Sequence, residues 1–233
     1  MHLNNLFYYS LISIAALLSG CATTAGYSTP PLSTEITSQL TTSEPVIAYF
    51  KRNSVGRNCD GCTYGVDQLY SSTPVDDGYY RLMLGRNSEG LFLIQDFYQQ
   101  NKQAQSSPLW VRDPLHVFSL SGELVIGSAM LYYPDGQILA KFNNIDAYNR
   151  EGEHFYPGGE QASAYKRTAS DNVHRYELWY WYKSGKPALH YSFQSQPLSV
   201  QSQGWDENGT QTQDNNELVK IRDAIDDVLQ ENL

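Results

Sequence analysis

The sequence LYYPDGQILAKF, residues 131–142, has the pattern of a tight β-hairpin. Aromatic and aliphatic residues precede Pro134 and Asp135, Gly136 follows them, and a second apolar segment leaves the turn. Because glycine tolerates a positive φ, it suits the left-handed position that a tight turn between antiparallel strands requires. The stretch therefore predicts two antiparallel strands that are joined at Gly136.

The same arrangement recurs along the second half of the chain. Three further segments place an aromatic residue, a polar turn and a glycine in the same order: HFYPGGEQA (154–162), WYKSGKPALHY (181–191) and GWDENGT (204–210). The four turn glycines, at positions 136, 159, 185 and 209, lie 23, 26 and 24 residues apart. Two earlier segments, 86–92 and 118–124, have the same form at irregular spacing. A recurring interval is typical of repeated supersecondary units.

Aromatic residues dominate the composition, with 18 Tyr, 8 Phe and 4 Trp in 233 residues. Flat rings pack well across a pleated surface, so this composition favours strands. In residues 178–182, strand alternation puts Trp179 and Trp181 on one face and Leu178, Tyr180 and Tyr182 on the other. Because both faces are apolar, we expect this strand to be covered on both sides or to lie beside a partner. We predict a mainly β fold: an antiparallel meander of repeated β-hairpins in a twisted sheet, with one C-terminal amphipathic helix.

The C-terminal segment, residues 214–233, has the periodicity of that helix. Its apolar residues recur at helical spacing, and acidic residues separate them: Leu218, Ile221, Ala224, Ile225, Val228 and Leu229. Either Asp214 or Asn215 can cap its N-terminus. We expect the helix to cover an edge strand of the sheet, and a docking helix for another protein is the alternative.

The N-terminal segment resembles a bacterial lipoprotein signal peptide. An apolar run from Leu6 to Leu18 spans 13 residues, fewer than the roughly 20 that cross a bilayer. The tetrapeptide LSGC, residues 18–21, closes this run. The resemblance implies cleavage before Cys21 and acylation of that cysteine, palmitate included. Residue 22 is Ala rather than Asp, which by the same resemblance favours the outer membrane, periplasmic or surface-facing. A cleaved soluble signal or an uncleaved anchor is the alternative, since the first five residues contain no Lys or Arg.

These boundaries divide the chain into four parts. Residues 1–20 are the predicted signal peptide, and residues 21–44 are a Thr-, Ser- and Pro-rich flexible tether. Residues 45–213 form the β-hairpin repeat domain, and residues 214–233 form the helix. One domain of this size can bury a core of its own.

Cys59 and Cys62 remain as a pair once Cys21 is acylated. They flank Asp60 and Gly61, which is turn chemistry, and outside the cytoplasm two thiols this close should oxidise. We predict a small structural disulfide between them. A thioredoxin-like redox site is the alternative. Such a site needs a cysteine with a lowered pKa, whereas Asp60 would raise the pKa of a neighbouring thiol. Haem attachment and zinc binding are disfavoured because residue 63 is Thr and further ligands are lacking.

The segments between residues 114 and 212 resemble MORN-type repeats, in the variant found in bacterial antitoxin-like repeat proteins. That pattern has an aromatic pair, two further residues, a glycine and a second strand, and YYPDG (132–136) matches it best. Pro157 and Pro187 depart from it. The resemblance implies a non-catalytic protein-binding role, and in one version an immunity lipoprotein that neutralises a toxin delivered to the envelope. An ordinary β-meander with glycine turns would produce the same hairpins.

No residue pattern points to catalysis. The chain lacks a Gly-x-Ser-x-Gly elbow, a His-Glu-x-x-His zinc motif, a P-loop and a dinucleotide fingerprint. Four of the histidines are isolated in sequence: His116, His154, His174 and His190. The carboxylate pairs Asp76-Asp77 and Asp226-Asp227 would point apart on a strand or a helix. We therefore predict a protein that is not an enzyme, with no catalytic, cofactor-binding or metal-binding residues.

The remaining expectations concern partners. A formal net charge of −9 disfavours nucleic acid. We predict a membrane contact through the lipid on Cys21 and an unidentified protein partner. The predicted binding surface comprises aromatic residues of the recurring segments: Tyr132, Tyr133, Trp179, Trp181 and Trp205. Alternatives are an accessory lipoprotein of an envelope machine that docks through the helix, or a glycan-binding lipoprotein that uses Trp110 with the other three tryptophans.

Overall fold

The computed structural model of the chain describes residues 46–52, 70–120 and 125–232. The predicted signal peptide, Cys21, the tether and the Cys59–Cys62 pair lie outside the described residues. Within that part of the chain, thirteen strands form one antiparallel sheet. The strands are β1 Val46–Lys51, β2 Tyr70–Ser71, β3 Gly78–Arg86, β4 Phe92–Tyr98, β5 Leu109–Val111, β6 Val125–Tyr132, β7 Ile138–Asn144, β8 Arg150–Phe155, β9 Gln161–Ser170, β10 Val173–Trp181, β11 Pro187–Ser195, β12 Leu198–Trp205 and β13 Gln211–Thr212.

The strands follow one another across the sheet almost in chain order. From β3 to β13 each strand pairs with the next in sequence, and β1 lies between β2 and β3. One α-helix, α1 (Asn215–Glu231), follows the last strand, and a 3₁₀ turn covers Pro114–Phe118. The predicted mainly β meander with a C-terminal helix is confirmed. The first strand begins at Val46, one residue after the predicted start of the domain.

The glycine turns adopt the predicted backbone conformation. Gly136, Gly159, Gly185 and Gly209 have φ values of +88°, +94°, +78° and +89°. In the first turn the Gly136 N–H donates to the carbonyl oxygen of Tyr133 at 2.9 Å, and the Tyr133 N–H donates to that of Gln137 at 2.8 Å. The other three turns repeat both hydrogen bonds. Local turn chemistry therefore sets the hairpins that the sequence predicts.

Three buried tyrosines and the half-buried Tyr182 join each hairpin to the next. The Tyr133 hydroxyl donates to the carbonyl oxygen of Phe155 at 2.7 Å, and the Tyr156 hydroxyl donates to that of Trp181 at 2.7 Å. The same bond is made at 2.7 Å by Tyr98 to Tyr132 and by Tyr182 to Trp205. Each acceptor carbonyl lies near the glycine turn of the following hairpin. We call these four hydrogen bonds the tyrosine ladder, and it fixes the spacing between successive turns.

An ion pair organises the core at the N-terminal end of the sheet. Arg81 on β3 and Asp96 on β4 are 1% and 2% exposed, and their side chains make two hydrogen bonds, of 2.6 and 2.7 Å. Arg81 Nη1 also donates to the carbonyl oxygens of Val117 and Ser119, at 2.6 and 2.9 Å. The charged atoms are therefore satisfied without water, as a buried ion pair requires. The pair ties two strands to the 3₁₀ turn that covers them.

Helix α1 closes the core at the other end of the sheet. The Asp214 carboxylate caps it, accepting from the N–H groups of Asn216 and Glu217 at 2.9 and 3.2 Å. Its buried side chains pack against the outer strands: Leu218, Ile225 and Leu229 join Tyr156, Ala162, Tyr180, Ala188 and Leu189 in one apolar cluster. The expectation that the helix covers the end of the sheet is confirmed, because α1 packs on β11 and β12.

Removing a ladder hydroxyl should weaken the fold. We expect Tyr133→Phe to lower the free energy of unfolding by about 1 kcal/mol at neutral pH, because a buried carbonyl loses its donor. Urea titration of wild type and variant measures this difference. Tyr148→Phe is the matched control, since Tyr148 is 53% exposed. Equal stability of Tyr133→Phe and wild type would contradict a structural role for the ladder.

Alkaline pH should act through the same hydroxyls. Burial raises the pKa of Tyr133 and of Tyr156 to about 12, whereas an unfolded tyrosine titrates near 10. Their contribution is therefore complete below about pH 10 and is lost as the pH rises towards about 12. We expect the urea midpoint to fall over that window, and to fall less in the Tyr133→Phe, Tyr156→Phe double variant. A parallel fall in both proteins would refute this linkage.

The contact between helix and sheet requires a glycine at position 204. A Cβ atom there would lie 2.6 Å from Leu218 Cδ2, 3.1 Å from Thr212 Cγ2 and 3.2 Å from Ile221 Cδ1. We expect Gly204→Ala to cost about 1–3 kcal/mol through overpacking, and Gln201→Ala on the exposed part of β12 to cost little. Combining Gly204→Ala with Leu218→Ala should cost less than the sum of the single changes. Strict additivity in this double-mutant cycle, measured by urea unfolding, would contradict the contact.

Candidate functional site

The tryptophans of the recurring segments lie on the side of the sheet opposite α1. Residues paired directly across strands point to the same side. One continuous row across β6–β12 consists of Met130, Lys141, Glu153, Ala164, Trp179, His190 and Gln203. We call the side that carries this row the tryptophan face. Gly204, next to Gln203, points to the other side, where Leu218 and Ile221 of α1 pack.

Three indole rings and one imidazole ring form a cluster on this face. Trp179 stacks on His190 with ring centroids 4.0 Å apart and an angle of 19° between the planes. The Trp181 ring lies 6.0 Å from Trp179 at 17°, and the Trp205 ring lies 6.3 Å from it at 9°. All four rings are half-buried. Mutual packing fixes their orientation while part of each ring stays accessible to solvent.

Glu177 holds the centre of the ring cluster. The Trp179 Nε1–H donates to Glu177 Oε1 at 3.0 Å, and His190 Nε2 lies 3.4 Å from the same oxygen. Glu177 itself is exposed at 57% of its side chain. One carboxylate oxygen of a largely exposed side chain therefore lies near both the indole and the imidazole.

A groove of about 810 Å³ runs from the ring cluster across β9 to β6. Charged side chains of both signs line it together with Trp179 and Met130: Lys141, Glu151, Glu153, Lys166 and Glu177. Lys166 Nζ lies 3.3 Å from Glu151 Oε2, and Lys141 Nζ lies 5.1 Å from the centre of the Phe155 ring. The groove thus combines the indole ring of Trp179 with charged side chains of β7, β8 and β9, where each lysine lies near an acidic or aromatic side chain.

The structure brings together most of the predicted binding surface. Trp179 stacks with both Trp181 and Trp205, and the hydroxyl of half-buried Tyr132 points to Met130 Sδ at 4.0 Å. Tyr133 does not belong to this surface. It is 2% exposed and forms part of the tyrosine ladder, because consecutive strand residues point to opposite sides of a sheet.

The remaining candidates lie elsewhere in the fold. Trp110 is on β5, paired with Leu93 and Ile126, and therefore stands five strands from Trp179. His154 is on the α1 side, where its Nδ1 lies 3.0 Å from Ser163 Oγ and burial lowers its pKa. His174 contacts Tyr148 at the far end of the strands. The histidines are thus dispersed, as their isolation in sequence suggests.

Metal-binding clusters and membrane-spanning helices are both absent from residues 46–52, 70–120 and 125–232. Across these ranges no three His, Cys, Asp or Glu side chains come together as a metal-binding group. The one helix in these ranges is neither long nor apolar enough to cross a membrane. No family model matches the chain, and no curated protein matches it significantly.

Sequence reasoning missed the charged and imidazole side chains of this site. Glu177, His190, Lys141 and Lys166 come from four strands, and no local motif links them. Pairing along the hairpin at Gly185 could have found part of it, since folding there places Trp179 opposite His190. Lys166 and Glu151 depend on the register of two further strand pairs, which the sequence alone does not provide.

Proposed function

We propose that this protein is a lipid-anchored lipoprotein of the bacterial outer membrane whose tryptophan face binds another protein without catalysing a reaction. The observation that carries the binding role is the cluster of Trp179, Trp181 and Trp205 beside an open groove. The anchor rests on the resemblance of residues 1–21 to a lipoprotein signal peptide.

The ring cluster has the properties of a protein-binding anchor. Tryptophan is enriched among the residues that contribute most to interfaces, since a large ring excludes water from its surroundings. Ordering a flexible side chain costs binding energy, and rings already held by stacking and by Glu177 avoid part of that cost. Charged side chains along the groove add selectivity for a partner with a complementary charge pattern.

The size of the face also fits a protein partner. Seven strands, β6 to β12, at about 4.8 Å spacing span about 29 Å, and six residues along a strand add about 20 Å. A typical stable interface covers about 800 Å² on each partner. A twisted surface of this extent therefore approaches the area that a specific protein complex requires.

Among protein partners, a toxin delivered into the envelope is the version we favour. Its support is the resemblance of residues 114–212 to antitoxin-like repeats, which makes this an immunity role. Docking to an envelope machine through α1 is less favoured, because the apolar side of α1 packs on the sheet. Its exposed large apolar residues are Val219 and Val228. Glycan binding by four tryptophans is weakened by the distance of Trp110 from the other three.

Replacing one ring should test the binding role. We expect Trp179→Ala to lower affinity for the partner by about 2 kcal/mol, or roughly 30-fold in Kd, because it removes the ring that the others contact. The full-length lipoprotein is crosslinked in cell envelopes and captured, and its partner is then titrated by calorimetry. Tyr148→Ala is the control, since Tyr148 is an exposed aromatic residue outside the face.

Two outcomes would contradict the proposal. Full affinity in Trp179→Ala would place the binding site elsewhere on the protein. Recovery of peptidoglycan or polysaccharide fragments alone, with a Trp fluorescence change on adding soluble glycan, would favour glycan binding instead.

A further inference from the structure

The long outer strand β12 has one side without a strand partner. It pairs with β11 along its whole length, from Leu198 opposite Ser195 to Gly204 opposite Leu189, without a break in register. On its other side β13 pairs only with Gly204 and Trp205. Within the described ranges, no strand pairs with that side of residues 198–203. Because the backbone N–H and C=O groups of successive residues point to alternate sides of a strand, every second residue of this stretch directs both groups to that side, where an added strand could bind them.

This edge lacks the features that usually prevent strand addition. Natural edges carry charges, an internal proline, a bulge or a very short strand. No Asp, Glu, Lys or Arg occurs between Pro187 and Trp205, and proline occurs only before β12, at position 197. Leu198 and Val200 are 75% and 57% exposed, among the most exposed large apolar side chains of the described residues. The edge is therefore both unpaired and apolar.

We propose that this edge pairs with the same strand of a second copy of the protein, antiparallel about a two-fold axis at Ser199. In that register residues 198–200 of the two copies lie directly opposite each other, with Leu198 of each copy opposite Val200 of the other, so the exposed apolar side chains of both copies are covered. Val200 is flanked on its own sheet by half-buried Phe193 and Tyr176, which extend the apolar contact.

Charge favours a second copy at this edge. Each chain has a net charge of −9, so most approaches between two copies are repulsive. The uncharged segment from Pro187 to Trp205 is where two copies meet with the least repulsion. A second copy also supplies a free edge of the same length and polarity. Antiparallel pairing of identical strands is an isologous contact, which closes as a dimer and does not extend.

The dimer is independent of the protein-binding role. Directly opposed residues point to the same side of a sheet, so the two tryptophan faces would lie on one side of the combined sheet. Trp179 is on β10, two strands from the contact, and stays accessible. Loss of dimerisation would therefore leave binding of one partner per chain intact, and the two proposals fail separately.

A charge placed at the edge should separate the copies. Val200→Lys puts two lysines close to the two-fold axis, and we expect at least a tenfold weaker dimer. Full-length lipoprotein in detergent is measured by sedimentation equilibrium over a concentration series, with thermal unfolding to verify the fold. Ile145→Lys is the matched control, since Ile145 is 66% exposed in the connection between β7 and β8, four strands from β12. A monomeric wild type, or equal dimerisation in Val200→Lys, would overturn the proposal.

Crosslinking in envelopes tests the register and the identity of the occupant. We expect Ser199→Cys to form a disulfide-linked dimer on oxidation, because the two Ser199 residues face each other at the axis. Gln201→Cys, whose counterpart would lie several residues away, should crosslink far less. Preferred crosslinking at Gln201 would overturn the register. A Ser199→Cys adduct with a different protein would overturn the second copy in favour of a strand from a partner.

Discussion

The tyrosine ladder is the constraint on which the second half of the sheet depends. A glycine turn closes one hairpin, but nothing in that turn fixes where the next hairpin stands. The Tyr133 hydroxyl fixes the position of the next hairpin by donating to the carbonyl oxygen of Phe155, and the Tyr156 hydroxyl donates in the same way to that of Trp181. Each of these hydrogen bonds replaces one that the tyrosine hydroxyl would make to water, and its geometry depends on the position of the neighbouring turn. Alignment of successive turns brings Trp179 beside Trp181 and Trp205.

The fold could be predicted because its signals are local. Glycine at a turn and alternation along residues 178–182 specify hairpins without reference to distant residues. Local sequence does not specify which residue of an aromatic pair points to which side of the sheet. Tyr132 and Tyr133 are adjacent residues of the same type. Only in the folded sheet does Tyr132 lie half-exposed and Tyr133 become buried. The predicted surface therefore contained one ladder residue in error.

The buried ion pair and the charged side chains of the groove could not be predicted from local sequence either. Arg81 and Asp96 are fifteen residues apart, and no spacing rule singles them out among the charged residues of the chain. Their importance arises from burial, since an unpaired charge at either position would be costly. Lys166 and Glu151 are similarly joined only by the register of β8 and β9. Long-range pairs of this kind become visible once the strands are aligned.

The last glycine turn lacks the tyrosine with which each of the other three begins. Asp206 stands where the earlier turns have tyrosine, and its carboxylate accepts from the N–H groups of Asn208 and Thr210 at 2.9 and 2.8 Å, within its own loop. These hydrogen bonds, led by the one from Thr210, lower the pKa of Asp206. A side chain that closes on itself has no group to offer a further hairpin. The tyrosine ladder therefore ends at Trp205, and a further hairpin held in the same way would need a side chain with a hydroxyl group at position 206.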